Sequence, residues 1–147
     1  MRLSISILAA AALGFFICGC AKEAGTVPLS GEGTADSSMT LKQGNVDFWT
    51  DIDIEWEGDA SLTYKVELLQ GGKVVATATC NPLGRLSVKT GWVETNLGAK
   101  HSRSGNGKMD CSLSLPSAGA TDVKAHLAFG TKPATVSLKK ANLSVRQ

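Results

Sequence analysis

The chain has 147 residues with 15 Lys plus Arg against 13 Asp plus Glu, and aromatic residues make up only 5%. That length leaves room for one domain with one modest core, which excludes a two-domain enzyme. The near balance of charge excludes a surface built for nucleic acid, which needs clustered cations and stacking platforms.

The first twenty residues differ from the rest. Arg2 makes a short positive end, Ile5 to Ile17 is a continuous apolar run, and Gly19-Cys20 closes it before polar sequence begins at Lys22. This is the layout of a signal peptide. The competing reading is a membrane-spanning anchor, but the run is short for that role and no basic stop-transfer cluster follows it. The residues Ile17-Cys18-Gly19-Cys20 resemble the lipobox of bacterial lipoproteins: an aliphatic residue, two small residues, then the cysteine that is modified. The resemblance implies a leader over 1–19, cleavage before Cys20, diacylglycerol on the Cys20 sulfur and acylation, for example by palmitate, of the new amino terminus. Ala21, in place of an Asp, implies sorting to the outer membrane where the cell has two. Several chains give a stable anchor, whereas one gives only reversible binding.

Residues 20–38 read as the lipidated terminus and a flexible linker, since Ala21 to Ser38 is rich in Gly, Ser, Thr and Ala and has no hydrophobic periodicity. Such a linker has a root-mean-square reach of roughly 20 to 25 Å. The domain is then 39–147. From Val46 the apolar residues alternate with polar ones, the signature of half-buried strands. Phe48, Ile52, Ile54 and Trp56 share one parity; Leu62, Tyr64, Val66 and Leu68 repeat it; Val74, Ala76, Ala78 and Cys80 follow the Gly71-Gly72 pair. Further strands are predicted around Leu86, Met109 to Leu115, Val123 to Phe129, and Val136 to Val145.

The fold class is therefore all-β, a two-sheet antiparallel β-sandwich of immunoglobulin-like or jelly-roll type with about seven or eight strands. Cys80, Trp92 and Cys111 echo the Cys, Trp, Cys order of immunoglobulin domains, but Met109 stands where their corner tyrosine would be. A three-residue loop, Gln70-Gly71-Gly72, keeps the first hairpin apolar on one face by pairing Leu68 with Val74 and Leu62 with Cys80. Val136 and Leu138 are even while Ala141, Leu143 and Val145 are odd, so one extra residue within 139–141 is predicted as a bulge or a crossing between sheets.

Four features bear on chemistry. Cys80 and Cys111 both fall on apolar parities in an exported chain, which predicts a disulfide. The acids Asp47, Asp51, Asp53, Glu55, Glu57 and Asp59 share the outward parity without a cation among them. They predict a solvated or edge strand that resists aggregation, with Ca²⁺ binding as the alternative use of so many hard oxygens. Trp49 sits among them, and an exposed Trp beside carboxylates is how carbohydrate-binding modules stack sugars; its alternative role is to cap the core. Finally, Lys100, His101, Arg103 and Lys108 lie in a Gly- and Ser-containing stretch that ends in Gly105-Asn106-Gly107, read as a basic solvated loop able to receive an anionic glycan or an acidic partner.

Catalysis is not expected. His101 and His126 are the two histidines, and no nucleophile elbow, phosphate loop or His-Glu-x-x-His motif is present. The expected function is a non-enzymatic, membrane-anchored envelope lipoprotein, structural or macromolecule-binding, with no cofactor and no dedicated metal. Its expected partners are the membrane through its lipid and an envelope protein or glycan. The alternatives are a carbohydrate-binding domain using Trp49 and the acids, and a small hydrolase or hydrolase inhibitor.

Overall fold

The computed structural model describes residues 21–147; the leader and Cys20 lie outside the described residues. Nine strands run in chain order: β1 (Glu23–Val27), β2 (Gly33–Leu41), β3 (Gly44–Glu57), β4 (Ser61–Gln70), β5 (Lys73–Cys80), β6 (Leu86–Leu97), β7 (Lys100–Leu115), β8 (Gly119–Thr131) and β9 (Thr135–Arg146). They form a five-stranded sheet of order β1-β9-β3-β7-β6 and a four-stranded sheet of order β2-β8-β4-β5. The antiparallel pairs β1–β9, β2–β8, β3–β7 and β4–β5 are nested, as if one long hairpin had been rolled up. That nesting is the jelly-roll arrangement. β6 is added at the edge beyond β7.

The alternation read in the sequence fills the space between the sheets. Val46, Phe48, Ile52 and Ile54 from the first sheet face Leu62, Tyr64, Val66, Leu68, Val123, Ala125 and Leu127 from the second, all fully buried. Ala141, Leu143 and Val145 complete the inner face on β9, and the predicted parity change is resolved by a bulge: Asp53 pairs with Lys140 and Ile54 with Leu138, leaving Lys139 unpaired. One polar link crosses the core. The Tyr64 hydroxyl on β4 donates to the Ala141 carbonyl at 2.9 Å and meets Thr50 Oγ1 at 3.0 Å, so a single side chain ties the second sheet to two strands of the first. Burial lifts the phenol above its usual pKa, which keeps it a neutral donor. Tyr64→Phe should cost about 1 to 3 kcal/mol in denaturant unfolding, because it strands a buried carbonyl and a buried hydroxyl without removing the ring.

The segment 21–38 corrects the linker expectation. It contributes β1 and most of β2, with Val27 and Leu29 inside the core. Along most of their length, Val27, Met39 and Leu41 apart, the two strands carry small residues, because they meet at a tight corner of the sandwich. A Cβ on Gly25 would stand 2.9 Å from the Met39 side chain, and Ser37 Oγ donates to the Thr26 carbonyl at 2.9 Å. Small and hydroxyl residues are what that corner accommodates, and they are also what makes a segment look like a linker.

Two turn readings are also corrected. The β4–β5 hairpin turns on Gly71-Gly72 alone, with Gln70 paired to Lys73, Leu68 to Ala76 and Tyr64 to Cys80. Both glycines have positive φ, as a two-residue hairpin turn requires, and a bulge at Val75 rather than an odd loop restores the apolar parity. Gly105-Asn106-Gly107 is not a turn. It lies inside β7, where a Cβ on Gly105 would collide with the Gly91 carbonyl oxygen at 2.5 Å; the glycine marks the close approach of a bulge in β6.

Candidate functional site

The acidic row from Asp47 to Glu57 lies on β3, hydrogen-bonded on both sides, by β9 and by β7, and Asp59 follows in the connection to β4. β3 is therefore not an edge strand. The cations that its own sequence lacks arrive from the neighbours: Lys108 Nζ stands 2.9 Å from Asp47, Lys140 Nζ 2.9 Å from Asp51 and Lys139 Nζ 3.8 Å from Glu55. Cross-strand pairing thus offsets the repulsion at three of the six acids. Among the described residues, no group of three or more His, Cys, Asp or Glu side chains is placed to hold a metal ion.

Trp49 has the outward parity, but it is only 8% exposed. The Arg146 guanidinium lies over its ring at 3.9 Å, and Nε1 is buried without a hydrogen-bond partner among the described residues. A face already occupied by a stacked cation offers no platform for a sugar.

The four basic residues belong to β7, not to a loop, and strand alternation splits them. Lys100 and Lys108 pair with Glu57 and Trp49 on the outer side of the first sheet, whereas His101 and Arg103 pair with Trp56 and Ile54 on the side that faces the core. There His101 stacks on Trp56 with ring centroids 5.1 Å apart, and the Arg103 guanidinium lies 5.1 Å from the same ring. From β6, Glu94 accepts a hydrogen bond from Arg103 at 2.8 Å and another from Trp92 Nε1 at 3.2 Å. β6 and the adjoining half of β7 extend beyond the second sheet, so this aromatic and charged cluster closes the core where the opposite layer stops.

The Arg103 hydrogen bond, helped by Trp92, holds the Glu94 carboxyl at about 2. Because the folded pKa lies below the unfolded one, the contribution of this contact is present above the ordinary carboxylate range and is lost as pH falls toward about 2. A carboxyl NMR titration should find Glu94 still ionised at pH 3, and Arg103→Ala should return its midpoint toward the ordinary Glu value.

On the outer side of the same end lies a shallow groove of about 520 Å³, lined by Glu55, Glu57, Thr95, Leu97, Lys100 and Ser137 among others. Leu97 in its lining is 71% exposed. Two carboxylates, a lysine, hydroxyls and an apolar rim suit a mixed polar contact. Glu55 and Glu57 project from one strand to one side, so they do not flank a substrate from opposite sides as glycosidase carboxyls do. Sequence reasoning missed this groove because it is assembled from β3, β6, β7 and β9: Glu55 and Glu57 had been singled out in the acidic row and Lys100 and His101 in the basic stretch, with nothing to bring the two together.

Cys80 and Cys111 form a disulfide with Cα atoms 5.3 Å apart, clamping β5 at the edge of one sheet to β7 in the other. His126 points outward on β8 and meets Thr34 Oγ1 at 2.8 Å. No helix among the described residues is long and apolar enough to cross a membrane. The sequence matches no protein-family model, and no curated protein matches it.

Proposed function

We propose that this chain is a bacterial envelope lipoprotein, exported, cleaved before Cys20, acylated on that residue and sorted to the outer membrane, whose jelly-roll domain acts without catalysis as a structural or macromolecule-binding module. The observation that carries the proposal is Ile17-Cys18-Gly19-Cys20 at the end of an apolar leader. The disulfide supports it, since such bonds persist in oxidising compartments. For the contact surface, the groove lined by Glu57, Lys100 and Leu97 is the best supported candidate, because it combines an exposed apolar side chain with polar groups at one end of the sandwich. The glycan reading centred on Trp49 is not favoured, given the Arg146 guanidinium over its ring.

The test is Cys20→Ser expressed in a bacterial host. The variant should lose the acyl mass increment and leave the membrane fraction, while the parent stays in it. A variant that remains membrane-bound and unprocessed like the parent would make the apolar run a spanning helix and overturn the proposal.

A further inference from the structure

We infer that the domain docks end-on against the bilayer, with the end of the sandwich that carries Lys22, Lys42 and Lys73 pressed to anionic lipid headgroups. The inference rests on the lipoprotein reading and adds an orientation to it.

The first support is the length of the tether. A linker of eighteen residues would let the domain roam, but the ordered backbone reaches back to Lys22, whose N–H donates to the Gln147 carbonyl at 2.8 Å and whose carbonyl accepts from the Gln147 N–H at 3.1 Å. Only Ala21 separates that paired residue from Cys20. Two residue steps span at most about 7 Å of chain, so an acylated Cys20 holds this end of the sandwich at the headgroups. Nothing comparable restrains the other end.

The second support is what that end presents. The loops that share it are tied to one another: Lys42 N–H donates to Gln147 Oε1 at 2.7 Å, and Gln70 at the foot of the β4–β5 hairpin donates to the Ser117 carbonyl in the β7–β8 connection at 2.9 Å. Lys22, Lys42 and Lys73 project there, each exposed, and among the described residues none of the three is in an ion pair. Glu23 is their acidic neighbour. The opposite end is mixed: Glu32, Glu55, Glu57 and Asp59 stand there with Lys100, Lys132 and Lys139, and Glu32 and Glu55 are held in ion pairs by Lys132 and Lys139. Three exposed lysines outside any ion pair at the anchored end, against a far end of mixed charge, let an anionic surface orient the domain, and salt weakens that orientation.

The consequence is spatial. β3 runs from the anchored end at Gly44 to the groove at Glu57 over 14 residues, which at strand rise is roughly 40 Å. The groove is thereby held away from the bilayer and open to partners in the adjoining compartment.

The experiment uses the full acylated chain, its native disulfide intact, in vesicles of phosphatidylglycerol and phosphatidylethanolamine that include a lipid with a nitroxide headgroup. A fluorophore is attached to Ala118→Cys at the anchored end or to Asp59→Cys at the far end. Quenching at Ala118 should exceed that at Asp59 several-fold. It should fall in high salt and in a K22E/K42E/K73E variant that still floats with the vesicles. If protein that carries the acyl mass and floats with vesicles leaves both probes unquenched, the domain stands off the membrane and the docking is wrong. Equal strong quenching at both ends would show a domain lying flat and would overturn it too. If the chain acquires no acyl mass, the lipoprotein reading itself fails and the docking falls with it.

Discussion

Deleting residues 22–30 should abolish cooperative folding or lower stability by at least about 4 kcal/mol, the order expected from removing two core aliphatic side chains. The segment contains β1, whose Val27 is fully buried, and Leu29, at 8% exposure. Its loss also uncovers the hydrogen-bonding edge of β9 from Leu143 to Arg146 and leaves Asn142 Oδ1 without the Leu29 N–H that donates to it at 3.0 Å. Since domains of this size are stable by only about 5 to 15 kcal/mol, a loss of that order is a large part of the total. Circular dichroism melting of the parent and the deletion reads the effect. An unchanged melting temperature would mean that the segment is a tether after all, and with it the short-anchor geometry would fail.

Replacing both bridged cysteines, Cys80→Ala with Cys111→Ala, should cost roughly 3 to 4 kcal/mol on the chain-entropy account, given a sequence separation of 31. For a domain of this length that is a fall in melting temperature of about 10 to 15 °C. The position of the bridge adds a local effect. β5 pairs only with β4 in its own sheet, and the disulfide fastens it to β7 across the open side of the sandwich. Hydrogen exchange should therefore rise most along β5 and the 81–85 connection. Loss confined to a uniform shift, with β5 protected as in the parent, would contradict the clamp.

How much could be read beforehand depends on how each element encodes its place. Strands that bury large side chains announce themselves: the alternation of Phe48, Ile52, Ile54 and Trp56 and of Leu62 to Leu68 is legible because each inward position meets the opposite sheet. The Lys139 bulge was legible for the same reason, as a change of parity between Leu138 and Ala141. β1 and β2 were not, because a strand at a crowded corner carries Gly25, Ala35 and Ser37 where other strands carry Leu or Val. The basic stretch failed differently. Its glycines accommodate close strand approach rather than turns, and only with the chain seen as a strand does the split of Lys100 and Lys108 from His101 and Arg103 follow. The acids of β3 were correctly placed on one face, but their compensation by Lys108, Lys139 and Lys140 is a property of sheet order. Single-strand patterning carries no information on that order. The groove beside Lys100 was illegible for the same reason, being shared among four strands.

The proposed anchor holds this jelly roll at a membrane by lipid on Cys20, two residues before the paired Lys22. The most direct test is intact mass spectrometry of the protein extracted from membranes with detergent, together with the mass of its N-terminal peptide. The expected result is a chain beginning at Cys20, heavier than its sequence by the masses of a diacylglyceryl group and an amide-linked acyl chain, with Cys80 and Cys111 recovered as one linked peptide. A chain that retains residues 1–19, or one that begins at Cys20 with no added lipid mass, would contradict it.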